Sequence, residues 1–356
     1  MKARRFKGGI VNHIYQRTQN RFNIFYDVAD YLVYFTIFCT FSRQTDITVW
    51  GLCLMIDHIH GLIQADNLKT LSEFISRTTS VFVREYNKSR GRAGSLFEER
   101  YGSAPKSDKK HQISCIIYLG NNPVEKSLCM RAEEYRWNFL AYANCPNPFS
   151  DKLTIKSASA QLAKSLRIVN HYRKNESYLD HAVLDKIFKG LTITEKHQLI
   201  DYIITKYNCI DYSRMLSHFD SYEQALTAMH STTGSEYDLK EDRDGFSDAT
   251  YRDFIHHLQS NGMKCIRHIT TMPNDQKRQL GQQLRRRFGA PAKQICKFLH
   301  ITEQEWSTGR KTARETTRET TRETARETTR ETARETARDT TRETARETAI
   351  ETSRKI

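Results

Sequence analysis

The chain has no Cys-x-x-Cys pair and no long apolar run, and each absence removes a class of function. Its eight cysteines, at positions 39, 53, 115, 129, 145, 209, 265 and 296, are scattered, so a zinc ribbon is not expected. Cys39, Cys53 and Cys115 sit inside apolar runs and read as buried thiols of a reducing compartment. The longest apolar segment, Tyr31 to Phe41, falls far short of the roughly 20 residues a spanning helix needs. No apolar signal stretch follows Met1-Lys2-Ala3-Arg4-Arg5. The expectation is a cytoplasmic protein with no membrane partner.

Acidic charge is also in deficit. The formal net charge is +14. Residues 307–356 hold 13 Lys/Arg and 10 Asp/Glu, a contribution of +3, so the other 306 residues carry +11. A basic body of this kind fits a polyanion such as DNA, with salt-sensitive affinity, or simply a soluble basic protein. The tail itself repeats. From Arg310 to Arg346 an Arg recurs every four residues, nearly always followed by an acid. That period drifts round a helix and leaves no apolar stripe, so a fraying helix or disorder is expected over 309–356.

The most informative feature that is present is His58 and His60 in the run Met55-Ile56-Asp57-His58-Ile59-His60-Gly61-Leu62-Ile63. Side chains two apart on a strand share a face. The pair is therefore a two-toothed metal clamp on rigid scaffold, or else two packed strand histidines. Further on, Ser114 to Asn122 reads as a helix closed by Pro123, with Tyr118 and Asn122 one turn apart on one face. They are a phenol nucleophile with a neighbouring amide, or a core aromatic with a C-cap.

Together with their surroundings these pieces carry a resemblance. Asn12-His13-Ile14-Tyr15-Gln16-Arg17 and Asn23-Ile24-Phe25 come first, then the histidine pair, then Leu96-Phe97-Glu98-Glu99-Arg100-Tyr101. The Tyr118 helix ending in Asn-Pro-Val follows, and last comes Glu134-Tyr135-Arg136-Trp137 with Tyr142 beyond. In this order residues 9–143 resemble the single-tyrosine HUH transposases, above all the REP-associated tyrosine transposases. Asp57 departs from the Asn that the family usually carries before the first histidine. The resemblance implies a ferredoxin-like antiparallel sheet with covering helices, an α+β fold with the histidines on the open face. It implies Mg²⁺ or Mn²⁺ held by His58, His60 and Asn122. Tyr118 would attack single-stranded, hairpin-flanked DNA to form a 5′-phosphotyrosine link. Two other classes stay open: a non-catalytic DNA-binding regulator derived from a transposase, and a metal hydrolase with a water nucleophile.

Periodicity supplies the remaining layout. Strands are expected at Gly9–Thr18, Ile47–Met55 and His58–Gln64, and helices at Val28–Phe41 and Leu68–Asn87. Ile47, Val49, Gly51, Cys53 and Met55 are expected on one face. Residues 94–110 read as irregular. The catalytic domain is placed at 1–145 and a mostly helical region of unassigned role at 146–270. Thr192 and Glu195 have capping-box spacing. Residues 271–308 read as a helix-turn-helix DNA-binding unit, or as two packed surface helices, with Arg285, Arg286, Arg287, Lys293 and Lys297 as its basic residues. The DNA grip in the first domain is assigned to Arg4, Arg5, Lys7, Arg17, Arg21, Arg77, Arg84 and Lys88, with Arg90 and Arg92 in the same cluster. Either a monomer or a dimer is compatible with this reading.

Overall fold

The computed structural model describes residues 5–98, 100–154, 156, 158–231 and 245–307. The repeat tail, Arg4 and most of the polar segment 234–247 lie outside them. Four strands, β1 (Val11–Arg17), β2 (Ile47–Leu54), β3 (His58–Ala65) and β4 (Gly102–Pro105), form one sheet in the order β2-β3-β1-β4. Every neighbouring pair is antiparallel. Helix α1 (Val28–Arg43) connects β1 to β2, and α2 (Leu68–Arg90) connects β3 to β4. This βαββαβ path is the ferredoxin-like fold.

Each connecting helix has a side-chain cap. The Asp27 carboxylate accepts from the Asp30 amide at 3.0 Å, and the Asn67 amide oxygen accepts from the Thr70 amide at 2.8 Å. Helix α2 ends on Gly91, whose φ of 63° is the left-handed conformation glycine adopts without strain. Helix α1 is buried from Ala29 to Ser42, all round its circumference. Val28, its first residue, is itself exposed. Helix α1 packs on β2 and α2, and also on α5 (His181–Phe188) and α6 (Ile193–Tyr207) from the C-terminal half.

Two local features depart from the simple strand pattern. The β2–β3 register shifts between Val49 and Gly51, which places Trp50 as an extra residue. A bulge of this kind reverses the alternation beyond it. Ile47 and Val49 therefore do not share a face with Gly51 and Cys53, contrary to the period-two reading. Strand β4 occupies part of the stretch read as irregular. Its four residues, Gly-Ser-Ala-Pro, carry almost no strand signal, and its Pro105 is acceptable because β4 is an edge strand. Opposite Gly102 lies Tyr15, whose ring carbon Cζ would sit 1.9 Å from an added Cβ. Gly102→Ala is thus expected to expel that ring and cost about 1–3 kcal/mol, read as a lowered midpoint in thermal denaturation.

Helix α3 (Lys109–Glu125) covers the other face of the sheet. It starts at Asp108, whose carboxylate accepts from the His111 amide at 2.9 Å. Pro123 lies inside the last turn rather than closing the helix, and Lys126 still donates to the Asn122 carbonyl at 3.2 Å. The helices that follow are α4 (Ala160–Lys174), α5, α6, α7 (Tyr212–Leu216), α8 (Tyr222–His230), α9 (Ala249–Ser260), α10 (Asn274–Phe288) and α11 (Ala292–Leu299). Helix α6 opens with the expected capping box: Thr192 Oγ1 accepts from the Glu195 amide, and the Glu195 carboxylate accepts from the Thr192 amide. The described residues up to His300 form one compact unit, across the sequence boundaries placed at 145 and 270, and a second unit begins at Ile301. In the second, Thr302 and Glu305 form a capping box of their own.

Candidate active site

Strand pairing decides which side chains meet. On β1 and β3 the paired positions are His13 with Leu62, Tyr15 with His60, and Arg17 with His58. Directly opposed residues project to the same side of a sheet. His13, Tyr15, Arg17, His58 and His60 therefore share one face, the face that α3 covers. Gln16 points to the other side, where its amide donates to Thr79 of α2 at 3.1 Å.

The four residues singled out for chemistry converge. Asn122 Nδ2 donates to the Tyr118 hydroxyl at 3.0 Å and lies 3.1 Å from His60 Nε2. The His60 ring stands edge-on to the Tyr118 ring with centroids 5.5 Å apart, and edge-on to His58 at 4.8 Å. All are buried, Tyr118 and His60 each at 2% exposure.

His13 belongs to the same cluster and was not singled out in the sequence. Its Nε2 lies 2.9 Å from His60 Nδ1, and the two rings stack. Asn122 donating to His60 Nε2 makes that nitrogen an acceptor, so the proton sits on Nδ1 and is donated to His13. The signal for His13 was the β1–β3 pairing, which aligns histidines from two strands.

Asp57 grips the outer nitrogen of the pair. Its Oδ1 lies 2.5 Å from His58 Nδ1, and its Oδ2 lies 2.9 Å from Lys297 Nζ. Burial alone would raise the Asp57 carboxyl; the His58 ring and the Lys297 ammonium outweigh it and hold the group well below the usual carboxylate range. Nearby Asp248, whose amide donates to the Lys126 carbonyl at 3.0 Å, goes the other way. Burial and the Asp57 charge push it up to about 7, against the opposing Lys297, Lys126 and His58.

The other quoted pieces serve as scaffold. Leu96 and Glu98 bond to the backbone of Gln19 and Arg17, and Tyr101 Oη meets Ser72 Oγ at 2.8 Å. Tyr135 donates to the Leu54 carbonyl at 2.8 Å, Arg136 meets Asp201 at 2.5 Å, and Trp137 stacks on Tyr31.

The basic residues divide. Arg17 lies on the histidine face, Arg21 follows it, and Arg5 and Lys7 are exposed ahead of β1. Arg77, Arg84 and Lys88 ride on α2, across the sheet from the histidines, so they do not border the site. Arg77 lies over the Phe41 ring, and Arg84 donates to the Tyr178 hydroxyl. Arg90 is fully buried against Asp30 and is no surface cation. Arg285, Arg286, Arg287 and Lys293 are exposed, but Lys297 is not. Helix α11 is buried from Gln294 to Leu299. Lys297 is therefore not one of the exposed basic residues of the 271–308 segment.

Among the described residues no group of three or more His, Cys, Asp or Glu is set to hold a metal, and no helix is long and apolar enough to cross a membrane. Residues 8–122 match the family described as "Transposase IS200 like". No curated protein matches the chain. Among solved structures, one of a REP-associated tyrosine transposase bound to a REP hairpin is similar, at 12% identity and a TM-score of 0.36, over 45% of this chain and 95% of that one. The paired histidines and the tyrosine of α3 thus meet on one sheet face within residues 8–122, the third of the chain that is similar to the IS200-like transposases.

Proposed function

We propose that this transposase cuts and rejoins single-stranded DNA at hairpin-bearing ends through a 5′-phosphotyrosine link on Tyr118. The observation that carries the reading is the unbroken contact from the Tyr118 hydroxyl through the Asn122 amide to the His60 ring. The phenolic oxygen forms the bond to phosphorus, the bond from phosphorus to the 3′ oxygen breaks, and that oxygen leaves as a protonated hydroxyl. A phenol ordinarily titrates near pH 10, so its charged form needs help. Asn122 supplies some by donating to the oxygen that becomes negative. The link conserves the phosphodiester's energy, so a second strand's 3′-hydroxyl can reverse the step without ATP.

The donor set fits Mg²⁺ or Mn²⁺. Asp57 occupies His58 Nδ1 and His13 occupies His60 Nδ1, which leaves the Nε2 atoms as the donor nitrogens, while turning the Asn122 amide offers its oxygen. When bound, such an ion would neutralise and orient the scissile phosphate. Arg17 on this face, with Arg21, Arg5 and Lys7 flanking β1, would meet the backbone of an entering strand, and Arg285, Arg286 and Arg287 make a separate exposed patch.

The test is incubation with single strands carrying a hairpin and Mn²⁺, followed by a denaturing gel. A covalent DNA–protein adduct is expected, absent with EDTA and reduced on the order of 100-fold or more in His60→Ala. Release of both DNA ends with no adduct would assign a water nucleophile instead. Binding without cleavage would leave a regulator.

A further inference from the structure

The matched segment ends at residue 122, yet a side chain from α11 reaches the histidine pair. Lys297 is 5% exposed and Asp57 7%, and the two meet at 2.9 Å while the second carboxylate oxygen holds His58 Nδ1. The backbone that carries Lys297 is pinned to the segment just ahead of α1. The Asn23 amide donates to the Lys297 carbonyl at 3.1 Å, the Tyr26 hydroxyl donates to the Phe298 carbonyl, and the Phe22 and His300 rings stack with centroids 4.9 Å apart. Such fixing distinguishes Lys297 from a surface lysine, whose long stem moves freely in solvent.

We propose that Lys297 is a positioning residue of the cleavage site, holding Asp57 and, through it, the tautomer and angle of the His58 ring. The inference rests on the reading of His58 as a site ligand, and it makes the C-terminal segment part of the active site. A carboxylate that accepts from Nδ1–H keeps the proton there and leaves Nε2 as the lone-pair nitrogen. That carboxylate is buried, and a buried anion facing one imidazole is poorly compensated. The ammonium of Lys297 balances it from the other side. Asp248 is another acid near this group, and Lys126 another base.

The test uses the full chain with ¹⁵N-labelled histidine and three proteins: wild type, Lys297→Met and Asp57→Asn/Lys297→Met. Methionine keeps the length of the stem without the charge. In metal-free protein, Lys297→Met should shift the His58 ring nitrogen signals, and Mn²⁺ binding, measured by titration calorimetry, should weaken about tenfold. The double variant holds no buried charge at either position, and the amide oxygen introduced at position 57 still accepts from His58 Nδ1. It should restore the ring signals and bring Mn²⁺ affinity to within about threefold of wild type. Should Lys297→Met be too unstable to measure, the double variant is compared with Asp57→Asn alone: with no carboxylate left to hold, removing the ammonium should leave the ring signals and Mn²⁺ affinity unchanged, and a further shift would overturn the proposal. Unchanged ring signals in Lys297→Met, or a double variant as weak as the single one, would overturn the proposal. These readouts need no DNA, so a wild type that forms no adduct would count against Tyr118 chemistry and not against Lys297.

Discussion

A Tyr118→Phe protein should fold as the parent does and form no covalent adduct with DNA. The substitution deletes one oxygen from a buried ring and leaves the edge-on packing against His60 and His13 in place. It also deletes the acceptor for Asn122 Nδ2, which keeps its 3.1 Å approach to His60. Losing one partner of a satisfied buried pair costs on the order of 1–2 kcal/mol, modest for a unit of this size. The chemical loss is of another order, because the oxygen removed is the proposed nucleophile, carried by the ring that stands edge-on to His60. Tyr15 is directly across the strand pair from His60 but carries its ring out over Gly102 of β4. Adduct yield at or below the detection limit, with an unchanged circular-dichroism spectrum and unchanged hairpin retention in a mobility-shift assay, is the expected result. A Tyr118→Phe protein that still becomes covalently attached to DNA would remove Tyr118 from the reaction.

The site was legible where its pattern is local. His58 and His60 are two apart in an apolar run, and Tyr118 and Asn122 are four apart, so strand and helix periods alone put each pair on one face. What periods cannot give is the partner across the sheet or from a distant helix. His13 joins the cluster only through the β1–β3 register. Lys297 joins it only because α11 packs beside Asn23 and Tyr26, and charge counting alone placed that lysine on DNA. The same limit applies to the fold. The Trp50 bulge and the four-residue edge strand β4 are settled by pairing, not by composition. Pro123 is a fair stop signal, but it forfeits only its own N–H bond to the Leu119 carbonyl, and the helix runs two residues further to Glu125. The all-round burial of α1 follows from helices α5 and α6, which nothing near residues 28–43 announces.

Arg90 shows what misreading a buried cation hides, and Arg90→Met should destabilise the protein by about 3–5 kcal/mol. Its guanidinium reaches both carboxylate oxygens of Asp30, at 2.7 and 2.8 Å, and lies 3.5 Å from the Tyr86 ring centroid. Asp30 also takes His181 Nε2 at 2.9 Å and the Tyr26 amide at 2.9 Å, so the cluster ties α1, α2 and the first residue of α5. Burial would raise the Asp30 carboxyl, but Arg90 and His181 overcome it and hold the group well below its ordinary range. A depressed carboxyl stabilises the fold above its unfolded value, near pH 4, and that contribution fades as pH falls further. Methionine fills much of the space but leaves the anion with only His181 and the Tyr26 amide of the partners named, and burial then drives the carboxyl upward. The stability gap between wild type and Arg90→Met should therefore be wide at pH 7 and narrow as pH falls through about 4, measured by thermal denaturation across that range. Asp30→Asn/Arg90→Met removes both charges and should recover much of the loss, since an uncharged pair of similar volume carries no such desolvation penalty. A single variant as stable as wild type at pH 7 would mean that the Asp30 charge is already carried by His181, with Arg90 contributing only its packing on Tyr86.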